Sequence, residues 1–165
     1  MDATILKNKP MSGEYREHFF NSPKGETTTV LFEDNNYEEY CGIFSGGDIQ
    51  ESKVVVNEGI AFVLAKGKGY IFDVNKRAII YHTEHSYLTD VLSGNTPNVF
   101  VASTFTELIV YQNEESWISK RISSDGINLR EVANNILYGQ VFNFFDWVPF
   151  TLNLETYEYD CEWEF

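Results

Sequence analysis

The stretch from Gly59 to Tyr81, GIAFVLAKGKGYIFDVNKRAIIY, constrains the fold more than any other part of the chain. Three short apolar runs, IAFVLA, YIFDV and AIIY, are separated by Lys-Gly-Lys-Gly and Asn-Lys-Arg. Runs this short, rich in β-branched and aromatic residues and bounded by turn formers, predict three consecutive antiparallel strands. Aromatic residues make up 16% of the chain, which favours half-buried pleated surfaces in the same way. At 165 residues, a single all-β domain with a sizeable core is expected.

The pattern recurs. Phe62, Phe100 and Tyr138 stand 38 residues apart, and Ala65, Ser103 and Val141 keep the same step. A second apolar run follows each time, as YIFDV, LIVYQ and FTLNL. Recurrence near 40 residues predicts antiparallel meanders in three blade-like, propeller-like repeats. One small sheet has two faces and hides them by stacking on the next. A two-sheet β-sandwich is the alternative, since alternation and turns alone also build one.

The remaining segments read less clearly. Residues 1 to 26 hold Pro10, Gly13, Pro23 and Gly25 and read as mostly irregular, with one strand or helical turn around Tyr15 to Phe20. Ser86 to Leu92 reads as a helical turn or two, with Gly94 and Pro97 beyond it. Pro149 lies inside an apolar run and removes a ladder donor, so that strand is expected at an edge or with a bulge.

Charge bounds the partners. A net charge of −13 disfavours nucleic acid and anionic membranes, both of which select clustered Lys and Arg. It suits a basic protein partner steered by opposite charge, and it equally serves solubility. No run reaches the roughly 18 apolar residues of a membrane helix, and no signal segment is visible. Cys41 and Cys161 form no CxxC pair and are expected as reduced thiols of a cytoplasmic protein.

No catalytic constellation is legible. His82 and His85 are the one clustered pair of metal-ligand types, but their spacing falls at a strand-to-loop junction, and no metal or other cofactor is expected. SGGD and AKGKGY lack the frame of a phosphate loop. Twenty-five Asp and Glu leave a scattered-carboxylate hydrolase as an unfavoured third reading. Phe142, Phe144, Phe145 and Trp147 are dense and alternate with polar residues, and Phe142 and Phe144 share a strand face by parity. They belong either to the core or to a binding surface. Arg121, on a strand with Trp117, is expected to clamp Asp125, with Asp125-Gly126 as a hairpin turn. Gly139 inside a strand marks a bulge or a close backbone approach.

The last 45 or so residues carry a pattern of their own: Trp117, Ser119, Arg121, Ser123 and Asp125-Gly126, then Leu137 and Gly139, then Trp147, Pro149-Phe150, Leu152, Leu154 and Thr156. This resembles a W-x-S-x-R-x-S-x-DG, L-x-G, W-x-P-F-x-L-x-L-x-T pattern in a scattered group of uncharacterised bacterial proteins. Some of these look like immunity proteins that neutralise toxins. The resemblance implies a binding role. The expected function is therefore a non-enzymatic acidic protein-binding module, with Trp117, Arg121, Asp125, Phe142, Phe144 and Trp147 as its candidate site. A carbohydrate- or small-ligand-binding domain is the alternative.

Overall fold

The central strands of this chain read as unbroken apolar runs because most of them are buried on both faces. The computed structural model describes residues 1–20 and 25–164; Pro23 of the N-terminal segment lies outside them. It is all-β, with sixteen strands in four four-stranded sheets among the described residues. The first sheet holds β1 (Asp2–Ile5), β2 (Arg16–Phe20), β3 (Thr27–Glu33) and β4 (Glu39–Ser45), in the order β1-β3-β4-β2. The second is a meander of β5 (Ser52–Asn57), β6 (Ile60–Ala65), β7 (Lys68–Asp73) and β8 (Ala78–His82). The third is a meander of β9 (Asp90–Ser93), β10 (Val99–Ser103), β11 (Leu108–Gln112) and β12 (Glu115–Ile118). The fourth is a meander of β13 (Ile127–Ala133), β14 (Ile136–Phe142), β15 (Trp147–Asn153) and β16 (Tyr159–Cys161). Neighbours are antiparallel except β2 and β4, which are parallel.

The hairpins are set by local chemistry. Glu58-Gly59, Lys66-Gly67 and Asn134-Asn135 each occupy a two-residue connection with both φ values positive (48° and 89°, 48° and 91°, 51° and 60°). That is type I′ geometry, whose twist matches the flanking strands.

The strands divide into two compact units, Met1–Leu88 and Thr89–Phe165. In the first, Val30, Phe32, Tyr40 and Phe44 of one sheet pack with Ala61, Val63, Ala65, Tyr70 and Phe72 of the other. Phe32, Phe44 and Phe72 form a mutual aromatic cluster with centroids 5.0 to 6.3 Å apart. Two buried tyrosines tie the sheets together: Tyr40 donates to the Val74 carbonyl at 2.5 Å and Tyr70 to the Ser45 carbonyl at 2.6 Å. In the second unit, Val99, Val101, Leu108 and Val110 face Leu129, Leu137, Val141, Phe150 and Leu152.

Several expectations are corrected. There are four sheets rather than three repeats: β3 and β4 form a sheet with two strands of the N-terminal segment, β2 where a strand or helical turn was expected around Tyr15 to Phe20, and β1 where irregular structure was expected. Four sheets in two separately cored units also exclude the two-sheet sandwich. Phe62, Phe100 and Tyr138 do occupy the second strand of successive sheets, but Phe62 and Phe100 are fully buried while Tyr138 is 42% exposed. Ser86 to Leu92 contains no helix; Asp90–Ser93 pairs with Phe100–Ser103. Asp125-Gly126 connects β12 to β13 and is not a hairpin turn. Pro149 is on a central strand, yet β16 pairs only with Phe150–Leu152, so the missing amide falls beyond the end of that ladder.

Candidate functional site

β6, β7, β10 and β11 bury nearly every residue, as IAFVLA and LIVYQ suggest. β14 and β15 do not: their burial alternates along the strand. Leu137, Val141, Phe150 and Leu152 face the core, while Tyr138, Gln140, Phe142, Trp147, Pro149 and Thr151 lie on the opposite, open face. Register puts Tyr138 opposite Thr151, Gln140 opposite Pro149, and Phe142 opposite Trp147.

The open face ends in an aromatic hairpin tip. The loop between β14 and β15 is Asn143-Phe144-Phe145-Asp146. The Asn143 side-chain oxygen accepts from the Phe145 and Asp146 amides at 3.1 and 2.9 Å, folding the loop on itself. Phe144 has φ 83° and is 61% exposed; Phe145 is 85% exposed and Trp147 47%. The parity argument for Phe142 and Phe144 fails here, because β14 stops at Phe142. Phe142 packs instead on Trp147, with centroids 5.6 Å apart, and Phe144 meets Trp163 edge-on at 6.5 Å.

A serine pair anchors this tip. Ser123 Oγ is buried, donates to the Gly126 carbonyl at 2.6 Å and accepts from the Phe142 amide at 3.2 Å. Ser124 Oγ donates to the Phe142 carbonyl at 2.6 Å and accepts from the Phe144 amide at 3.1 Å. The Trp147 ring lies so close to Gly126 that an added Cβ would stand 3.0 Å from its Cη2. Gly126 in turn donates to the Phe105 carbonyl at 2.8 Å. Ser123, Ser124 and Gly126, in the second half of the W-x-S-x-R-x-S-x-DG element, are thus a scaffold for the tip.

Arg121 is part of that scaffold. Its guanidinium donates to the Ser123 and Ser124 carbonyls at 3.1 and 2.9 Å, so its clamp is made on the backbone of the loop that leads to Asp125. Asp125 is exposed beside the tip, as is Asp146. Trp117 stands apart in role: it stacks on Tyr157 at 4.7 Å and 8° and packs against the core. The structure therefore joins Arg121, Asp125, Phe142, Phe144 and Trp147 around one hairpin and assigns Trp117 to packing. Phe145, the most exposed ring of the tip, belonged to the candidate aromatic face but not to the short list of binding residues, and the role of the serine pair was not expected. Alternation in ILYGQVF, set against the unbroken IAFVLA, was the signal for an open face.

Charge concentrates in the same unit. Thr89–Phe165 has Lys120, Arg121 and Arg130 against twelve Asp and Glu, a net −9 of the chain's −13. A 420 Å³ cavity on the open face is lined by Arg130, Tyr138, Gln140, Pro149, Asp160 and Cys161 among others. Arg130 donates to the Gln140 side chain at 2.6 Å across it.

The other chemical candidates are dispersed. His82 lies at the end of β8 with its ring edge-on to Tyr70 at 5.3 Å, and the His85 carbonyl accepts from Thr83. No group of three or more His, Cys, Asp or Glu converges among the described residues. Cys41, buried on β4, and Cys161, half-buried on β16, are free thiols, and burial pushes the Cys41 thiol up. The two glycine-rich pieces do meet: Gly46 and Gly47 line an 810 Å³ cavity with Lys66 and Lys68, where Glu26 and Asp48 supply opposite charge. No helix of the described residues is long and apolar enough to cross a membrane, which says nothing of spanning by strands. No protein-family model matches the chain, and no curated protein matches it significantly.

Proposed function

We propose that the chain is a non-enzymatic binding module that recognises a basic protein through the open face of the fourth sheet and its aromatic tip. One observation carries this reading: Phe144, Phe145 and Trp147 are exposed on a hairpin held by buried hydroxyls, flanked by Asp125 and Asp146. Exposed rings on a fixed scaffold supply contact area at low entropic cost, and carboxylates around them steer a cationic partner. The resemblance of the C-terminal pattern to immunity-like bacterial proteins supports a toxin-neutralising role in the cytoplasm, where two free thiols are at home. The recurring four-stranded meander, read as a blade-like unit, fits the same proposal as a rigid carrier of one variable face.

The test is affinity capture from the native host with three baits: wild type, Phe145→Ser/Trp147→Ala, and Asp125→Asn/Asp146→Asn. The reading expects one basic protein, retained by wild type, weakened by added salt and lost with both variants. A partner of acidic pI, or retention by both variants, refutes it.

The cavity on the same face favours a second reading. An exposed Tyr138 ring beside Arg130, Gln140 and Asp160 has the mixture of flat apolar surface and planar polar groups that suits a saccharide. Glycan-array binding abolished by Tyr138→Ala, with no protein captured, selects it over the first.

A further inference from the structure

We infer that the first unit contains an anion site that takes a phosphate group, independent of the partner face proposed above. In a chain with 25 acids and 12 bases, a 460 Å³ cavity beside the first sheet is lined, among the described residues, by three lysines and no carboxylate. Its polar lining is Lys7, Lys9, Lys66, Thr28, Thr29 and Ser52, with Thr27 at the rim.

The topology explains why these groups converge. β1 and β2 are parallel strands on opposite edges of the order β1-β3-β4-β2, so the connection between them crosses β3 and β4. The crossing begins with the Leu6 amide donating to the Thr29 carbonyl at 2.9 Å, which sets Lys7 beside the threonines. It is held further on by Lys9, whose Nζ lies 5.7 Å from the Phe19 ring centroid. Lys66 arrives from the second sheet: it is the first residue of the type I′ turn, and its amide donates to Ser52 Oγ at 3.2 Å.

The hydroxyls leave a donor available. Thr28 Oγ1 and Ser52 Oγ are 3.0 Å apart, and either can be the donor. One hydrogen makes that bond, so the other hydroxyl hydrogen of the pair is left over whichever way it runs. Ammonium groups with a spare hydroxyl and no competing carboxylate in the lining match a tetrahedral oxyanion. Lys66 also pairs with Glu26, which stands outside the lining and is largely exposed. An entering anion therefore competes with Glu26 for Lys66.

The experiment is a titration of the full chain with inorganic phosphate at fixed ionic strength, followed by amide chemical shifts, with chloride as the control. Saturable shifts are expected at Thr28, Thr29, Ser52 and Lys66 with phosphate and not with chloride. Lys7→Gln/Lys9→Gln, both exposed positions, should raise the Kd by about tenfold or more, as loss of two charge-assisted contacts does. Glu26→Gln should lower it by freeing Lys66. Linear, unsaturable shifts overturn the proposal, and so does a Kd unchanged in either variant when its spectrum remains that of the folded protein.

Discussion

Replacing Ser123 by alanine tests whether the aromatic tip is a built structure or a chance exposure. The side chain is fully buried, and alanine nearly matches its shape, so no cavity term arises. What is lost is one donated bond to the Gly126 carbonyl at 2.6 Å and one accepted from the Phe142 amide at 3.2 Å. Neither partner is orphaned, because the Phe142 amide also donates to the Gly126 carbonyl at 3.0 Å. The full cost of a buried unsatisfied group is thereby avoided. The net loss should be that of ordinary hydrogen bonds, about 1 to 1.5 kcal/mol. A urea titration reads this as a lower midpoint at unchanged slope. Hydrogen exchange reads the local part: the Phe142 amide should exchange faster than the global loss alone accounts for. A variant within about 0.3 kcal/mol of wild type, with Phe142 exchange unchanged, refutes the claim that the serine holds the tip, since surface changes without a structural role fall in that range.

The remaining expectations concern other levels of the structure. Gly139→Ala would set a Cβ 2.5 Å from the Phe150 ring and 2.8 Å from the Asn128 carbonyl oxygen, in a core where that ring is 3% exposed; about 1 to 3 kcal/mol should be lost, measured by urea unfolding. Phe145→Ser, at a side chain 85% exposed, should leave stability within about 0.5 kcal/mol while weakening partner capture, so a large stability loss contradicts its assignment to a binding surface. Acid should act in two steps on the first unit. Burial, aided by Arg16 and Arg77, holds the His18 pKa below its ordinary 6.5, and His18 Nε2 is buried with no hydrogen-bond partner among the described residues. The unfolded chain therefore binds the proton first, and stability falls as pH drops from about 6.5 to the lower folded value. Further down, the hydrogen bond from Arg77 to Asp34 at 2.9 Å holds that carboxyl below its ordinary 3.8, and the Asn36 and Glu38 amides reinforce it. Its contribution is present above about 3.8 and is lost as pH falls through the folded value; His18→Gln should flatten the first limb of a urea-midpoint profile and Arg77→Gln the second.

The fold was legible where local chemistry decides it. IAFVLA, VFVAS and INLREVA coincide with β6, β10 and β13: apolar runs fill the first two, and turn residues with positive φ bound β6 and β13 on both sides. It was illegible where pairing overrides propensity. Asp90–Ser93 is a strand because Phe100–Ser103 offers it a ladder, and nothing in TDVLSG demands that locally. Asp2–Ile5 and Arg16–Phe20 are edge strands of four and five residues whose partners lie 24 to 31 positions away, and β2 is parallel, so no hairpin signal marks either; a strand or helical turn was legible around Tyr15 to Phe20, but not its partner. The site shows the same division. The rings were visible as residue types, but their exposure depends on serines that reach across 18 to 20 positions to hold Phe142 and Phe144. No sequence period records such a contact.

Negative charge in the second unit can serve solubility, recognition or both, and its placement separates the two. Along Glu158, Asp160, Glu162 and Glu164 the acids alternate outward while Tyr159, Cys161 and Trp163 turn inward. β16 is the terminal strand of its sheet among the described residues, and carboxylates on it and beside it disfavour pairing with another chain. Asp125 and Asp146 are different: they are exposed at the two ends of the scaffold of an aromatic loop, off the strands themselves. If the two sets have these separate tasks, Glu158→Gln/Asp160→Asn/Glu162→Gln should increase self-association, seen as growth in light scattering, while partner affinity falls only as the general field weakens. Asp125→Asn/Asp146→Asn should do the reverse, leaving the chain monodisperse and lowering the association rate several-fold, with a shallower dependence on salt. Equal effects of both sets on both measurements would mean that the charge is one undivided coat, and the carboxylates beside the tip would lose their claim to choose a partner.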